Sequence, residues 1–512
     1  MTRSSNWLRC TCLIAGLATG SLSAAEFAPV FTSGAVLQRD ESVAIWGKGR
    51  DGEKVTIEFL GQTVSTVVKE GRWQLTLAAM PANPGAPLLL HSEKEVTLAD
   101  VAVGEVWIGG GQSNMQWRLN QSPPYTDTLL AGANESGVRQ VQIPVRPYAG
   151  DPFPPFGWKS FDKASAPHFG AVAYYFAAKL HQTLGVPVGI VICSFGGTPI
   201  EAWMSREAIT KAGLTATLTE HDKKMTTFAT PQDYDKALSE FQAITKDRQA
   251  RQKAGTPENE LGPAPQEPYG CRYKRRPTGL YESMLKEIIP YTARGVIWYQ
   301  GENNAGQPAE YALLLPQLIA EWRKEWKRPD WPFYIAQIAS SNSLQAEIEG
   351  WAVFREAQRK VATSTPHAGW VVTLDYGELG HVHPLQKLPI GERFARLALG
   401  QVYGKDVGTA QSPSATKASL NGDTLTIAFD DSHLNLEIRD PALPSLEIQT
   451  SAGTWQAASA KVGTDHRTLS VVVPSNAGTP NAVRYAWRQF CPLSLYTTDG
   501  LPISPWMLPV TP

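Results

Sequence analysis

The pentapeptide Gly111-Gln112-Ser113-Asn114-Met115 follows directly on the apolar run 106–110. A strand that runs into glycines can reverse without a Cβ clash, and the next residues can open a helix whose free N–H groups face the serine oxygen. Serine after glycine is also an ordinary turn pair, so this segment alone reads equally as a plain turn. Other apolar runs end in similar fashion. Residues 188–195 lead into Gly196-Gly197-Thr198, residues 296–299 into Gln300-Gly301-Glu302-Asn303, and residues 370–374 into Asp375, Glu378, His381 and His383. Acyl transfer needs this set. A serine is a weak nucleophile until a histidine takes its proton, and the tetrahedral oxyanion needs donors about 3 Å away. Ser113 and His383 fill the first two roles; the Ser113 N–H, Gly196 or Gly197, and Gln300 or Asn303 fill the third.

Such residues converge only if the elements before them lie side by side. From about 101 to 410 the pattern alternates strands and helices. Val172, Tyr175, Phe176 and Leu180 share one helical face before the strand 188–195, and Leu285, Ile288 and Ile289 predict a second helical stripe before 295–299. Continuous buried strands joined by helices imply a parallel sheet covered on both faces, with ligands beyond the C-terminal strand ends. Residues 205–270 read as an insertion, with a helical stripe at Tyr234, Leu238, Phe241 and Ile244. Residues 26–100 read as a small antiparallel sandwich: Val55, Ile57 and Phe59 alternate with polar residues, as do Trp73, Leu75 and Leu77. Strands return from 411 to 512, predicting a second β module.

Composition removes other classes. With 47 Lys+Arg against 48 Asp+Glu, no global field draws nucleic acid. Residues 1–25 read as an export signal: Arg3 and Arg9, a short apolar segment, then Ser23-Ala24-Ala25. That segment is too short to span a bilayer, so the expectation is a periplasmic or secreted protein without membrane insertion. Cys193, Cys271 and Cys491 remain after the signal, enough for at most one internal disulfide, and no Cys/His spacing resembles a metal clamp.

Taken in order, the segments 111–115, 194–203 and 298–305, together with Arg355-Glu356-Ala357-Gln358, His383-Pro384 and Arg484-Tyr485-Ala486-Trp487, resemble the sialate O-acetylesterase family of SGNH hydrolases. The resemblance covers nearly the whole chain after the signal. It implies a flavodoxin-like, three-layer α/β/α hydrolase core with flanking β-sandwich modules, removal of O-acetyl groups from carbohydrates, and no metal or organic cofactor. Ser113 would be the nucleophile and His383 the general base. The third conserved block of SGNH enzymes places an asparagine two residues after a glycine, matched by Asn303 after Gly301. Members of the sialate branch often use the glutamine before that glycine, here Gln300.

The chain departs from the family at the acid that orients the histidine, since Gly380 and His381 stand where relatives carry it. Either Ser113 and His383 act as a dyad, or Asp375, Glu378 or Glu302 substitutes, with Asp375 the first candidate. Trp117, Trp203 and Glu302 could contact sugar, although packing suits both tryptophans and a helix cap suits Glu302. Arg355 and Glu356 read as structural charges. The expected partner is an acetylated oligosaccharide or sialoside; acetyl-xylan, xyloglucan or pectin fragments are the alternative substrates, and a non-catalytic glycan-binding scaffold is the alternative of another class.

Overall fold

A 16-residue strand, Val96–Gly111, organises the molecule. The computed structural model describes residues 24–123, 125, 134–342, 350–430, 434–440 and 445–511; nearly all of the expected export signal lies outside them. The first half of the long strand pairs antiparallel with Asn83–His91 and parallel with Val36–Gln38. Its second half is buried throughout and pairs parallel with Val188–Ser194 on one side and Gly295–Tyr299 on the other. The boundary drawn at residue 100 therefore falls inside a single strand.

Around that strand the sheet runs in the order Lys159–Asp162, Asn134–Gln142, Val188–Ser194, Val96–Gly111, Gly295–Tyr299, Phe333–Ala336, Ala368–Val371, parallel except at the first pair. Successive residues of the inner strands enter different hydrophobic clusters. Val106, Val191, Val296 and Ile335 belong to one, whereas Trp107, Ile190, Ile297 and Tyr334 belong to the other. A period of two with both faces buried explains why these strands read as continuous apolar runs. The helices Pro308–Glu325 and Gly350–Ser364 contribute Leu314, Trp322, Trp351 and Phe354 to the first cluster; Ala171–Leu184 and Leu388–Gln401 contribute Val172, Phe176, Ile390 and Phe394 to the second. The expected mixed α/β class is what the chain adopts.

The chain crosses to opposite sides of Val96–Gly111 on its way to Val188–Ser194 and Gly295–Tyr299, so the crevice at its C-terminal end lies at the switch point of the sheet. Gly111 ends the strand with φ +135°, and a Cβ there would lie 2.2 Å from the Tyr299 carbonyl oxygen. Only glycine lets the chain turn so tightly into Ser113.

Elsewhere, Glu26–Phe27, Val43–Lys48 and Arg72–Leu77 form a three-stranded sheet; in the C-terminal module eight strands form one sheet, with Leu436–Ile438 and Leu495–Thr497 paired apart from it, over a core around Leu425, Ile448, Tyr485 and Trp506. The expected helical stripe at Leu285, Ile288 and Ile289 is not one helix. A short helix, Gly279–Ser283, gives way to a single 3-10 turn, Leu285–Glu287, because Pro290 cannot continue a helix. In the region 205–270 the long helix Pro231–Lys253 buries Tyr234 but leaves Ile244 57% exposed, so it is a largely solvated excursion. Cys193, Cys271 and Cys491 are all free and buried, so no disulfide joins them. Among the described residues no helix is long and apolar enough to cross a membrane, and no cluster of His, Cys, Asp and Glu is arranged to hold a metal ion.

Candidate active site

Ser113 opens the four-residue helix Ser113–Gln116, and its N–H has no hydrogen-bond partner among the described residues, as expected for a first-turn donor. Its Oγ lies 2.8 Å from His383 Nε2, although 270 residues separate them in sequence. With the serine hydroxyl donating to Nε2, the imidazole proton resides on Nδ1. The loop that carries His383 follows Ala368–Val371 through the 3-10 turn Leu374–Tyr376. His381 is exposed and contributes no bond to Ser113.

Among the described residues no carboxylate hydrogen-bonds the His383 ring. Asp375, expected as the orienting acid, is instead bound through both oxygens by the Arg393 guanidinium at 2.8 and 2.6 Å. A planar fork facing a buried carboxylate outcompetes a half-exposed imidazole. Glu378 accepts from the Leu385 N–H, and Glu302 from Asn114. The ring is held by other means. Trp117 stacks on it with centroids 4.9 Å apart and planes at 28°, and the Trp117 Nε1–H is anchored on the Gln121 carbonyl. Burial, then the Lys387 ammonium, then His381 push the His383 pKa below the ordinary histidine value.

The oxyanion side is crowded. Gly196 packs so closely that a Cβ would meet Ser113 Cβ at 3.3 Å, and its N–H donates to Gln116 Oε1 at 3.0 Å. Gly197 turns with φ +71°, and its N–H is free among the described residues. Asn303 is exposed beside this turn, donating one Nδ2 hydrogen to the Gly197 carbonyl at 3.2 Å and keeping the second available. Gln300 does not point into the crevice. It is fully buried, with Nε2 donating to Thr198 O at 3.2 Å and Asn304 Oδ1 at 2.8 Å, so both amide hydrogens are committed. The expectation of Gln300 as an oxyanion donor is corrected on that ground.

Two other expectations change. Trp203 is 0% exposed, bonded to Thr198 Oγ1 and edge-on to Trp298, so it cannot line a sugar subsite. Glu302 lies beneath the nucleophile, where burial pushes its pKa up, and reaches no surface a sugar could touch. Arg355 is wholly buried and donates to the carbonyls of Ile338, Ala339, Arg488 and Gln489, tying the catalytic sheet to the C-terminal module.

Several residues beside Ser113 escape a reading based on reactive groups. Gln112 Oε1 accepts from the Gly301 and Asn303 N–H groups, Gln116 holds Gly196, and Asn114 bonds Glu302, Lys387 and the Val382 carbonyl. Gln112 and Asn114 were visible as neighbours of the serine; nothing in the pattern around Lys387 distinguishes it from a surface lysine. Lys274 and Arg275, remote in sequence, donate to the carbonyls of Gly196 and Gly197 and bring two cations to the crevice rim.

Comparison with known proteins points to carbohydrate esterases. The model of the carbohydrate esterase, sialic acid-specific acetylesterase family matches residues 270–399, the stretch that holds Asn303 and His383. The sialate O-acetylesterase of Rattus norvegicus is 27% identical, covering 98% of this chain and 97% of its own. That of Homo sapiens is 24% identical over 95% and 93%. The crystal structure of a carbohydrate acetylesterase from Xanthomonas citri superposes with a TM-score of 0.77 at 27% identity, covering 95% of this chain and 99% of that one. Over nearly its whole length the chain is similar to sialate O-acetylesterases, and it is a carboxylic ester hydrolase.

Proposed function

We propose that this protein is an exported, periplasmic or secreted, carbohydrate O-acetylesterase built on an SGNH-type three-layer core with flanking β-sandwich modules, working through an acetyl-Ser113 intermediate. The observation that carries the reading is the 2.8 Å contact between Ser113 Oγ and His383 Nε2 at the switch point of the sheet. In the first half-reaction His383 takes the Ser113 proton as Oγ attacks the acetyl carbonyl. The Ser113 and Gly197 N–H groups and the second hydrogen of Asn303 Nδ2 receive the oxyanion. His383 then gives its proton to the departing sugar oxygen. In the second half-reaction it activates water, which releases acetate and restores Ser113. No step in this route calls on a metal or organic cofactor.

Lys274 and Arg275 at the rim favour an anionic sugar, and hence a sialate-type substrate, over neutral acetylated xylan or xyloglucan. Acetate release is to be measured across acetylated sialosides, xylo-oligosaccharides, xyloglucan and pectin fragments. The sialate reading predicts the highest kcat/KM on the sialosides, falling as salt is raised; deacetylation of the plant glycans alone would overturn it.

A further inference from the structure

Behind the nucleophile, one amide joins the loops of Ser113, Asn303 and His383. Asn114 Nδ2 donates to Glu302 Oε1 at 2.5 Å and to the Val382 carbonyl at 3.1 Å, while Asn114 Oδ1 accepts from Lys387 Nζ at 2.5 Å. Asn114 follows Ser113, Val382 precedes His383, and Glu302 precedes Asn303. Each bond therefore falls one residue away from a group assigned to the chemistry.

Lys387 is the unexpected member. It has no solvent exposure, and its ammonium lies 5.6 Å from the ring centroids of both Trp117 and Tyr299. Trp117 is the ring that stacks on His383. The Lys387 N–H donates to Ser122 Oγ, which donates to the Leu385 carbonyl, so the segment after His383 is pinned by the same residue. A buried ammonium whose one hydrogen-bond acceptor among the described residues is a neutral amide is costly, and an apolar side chain would fill the space without that cost. The carboxylate that faces it, Glu302, is reached through Asn114, and among the described residues Glu302 Oε2 has no hydrogen-bond partner. Structural packing does not call for this arrangement.

We infer that Lys387 is a positioning residue that acts through Asn114, locking the Ser113 loop to the His383 loop in place of an orienting carboxylate. The inference rests on the Ser113/His383 reading above. Its electrostatic consequence is separate from its geometric one. The charged groups around Lys387 are Glu302 and Glu378, with His383 on the side that also faces His381. Burial pushes the Lys387 pKa down to about 7. Its charge opposes the gain of a proton by His383.

The test uses the full-length protein and 4-nitrophenyl acetate, with Ser113→Ala first. Turnover by the wild type and none by Ser113→Ala secures the Ser/His reading independently. Lys387→Met, Asn114→Ala and the double variant are then compared, with thermal melts to establish folding. Lys387→Met is expected to lower kcat about ten- to hundredfold with KM within about twofold, and to move the acid limb of kcat/KM to higher pH. In the Asn114→Ala background the same change should cost less than about threefold, because the path it acts through is gone. If Lys387→Met does not fold, Lys387→Gln is judged by the same criteria. A folded variant with wild-type kcat, an unmoved acid limb, or an equal loss in both backgrounds would overturn the inference.

Discussion

Asp375 places both carboxylate oxygens on the Arg393 guanidinium, with one further Arg393 bond to the Val372 carbonyl. Both side chains are 9% exposed. Removing one charge leaves the other buried and unpaired, which costs about 3 kcal/mol or more. Asp375→Asn is therefore expected to lower the thermal midpoint by several degrees while leaving kcat within about threefold of wild type, since a lost orienting acid would instead cost about 10⁴. Melting curves and acetate release on the same sample separate the outcomes.

The oxyanion donors divide the same way. Asn303 keeps a free amide hydrogen beside the Gly197 turn, whereas Gln300 spends both of its own on Thr198 and Asn304. Asn303→Ala should reduce kcat by about 10²-fold with little change in melting, in line with loss of one oxyanion donor. Gln300→Ala should be seen first in the melting curve, because it strips buried acceptors of their partners.

Gly196 has no room for a side chain. A methyl group would meet Ser113 Cβ and Gln116 Oε1, each at 3.3 Å, and the nucleophile must yield by a few tenths of an ångström. Displacement on that scale should lower kcat by about tenfold with KM nearly unchanged. Steady-state kinetics of Gly196→Ala check this.

The pH profile follows from what surrounds His383. The base acts only when neutral, and burial with Lys387 and His381 nearby depresses its pKa. Activity should be complete above the acid limb and lost as pH falls through it, with the limb below the ordinary histidine value of about 6.5. A limb above that value, as a carboxylate partner would produce, contradicts the environment described.

The sequence made the reactive groups legible because strands buried on both faces leave continuous apolar runs, and the residues just beyond Gly111, Phe195 and Tyr299 stand out against them. Ser113 is legible for that reason, whereas His383 is told from His381 by the His383-Pro384 pair of the family resemblance. Of the two readings left open behind His383, Asp375 as orienting acid fails because nearness in sequence says nothing about which cation competes for a carboxylate, and Arg393 stands in the helix that follows. The choice between Asn303 and Gln300, and between packing and a sugar contact for Trp203, stays open in the sequence because burial of a polar or aromatic residue after a strand has no local signature. Lys387 was invisible, since a single lysine near a helix start is ordinarily solvated.

The most direct test of the acyl-enzyme route is the mass of the peptide carrying Ser113, taken from enzyme quenched during turnover of an acetylated sugar. One added acetyl group on Ser113, reduced in amount in His383→Ala, which lacks the base that activates the serine, is the predicted result. Steady acetate release with no acetyl on that peptide, and undiminished release by folded Ser113→Ala, would contradict it.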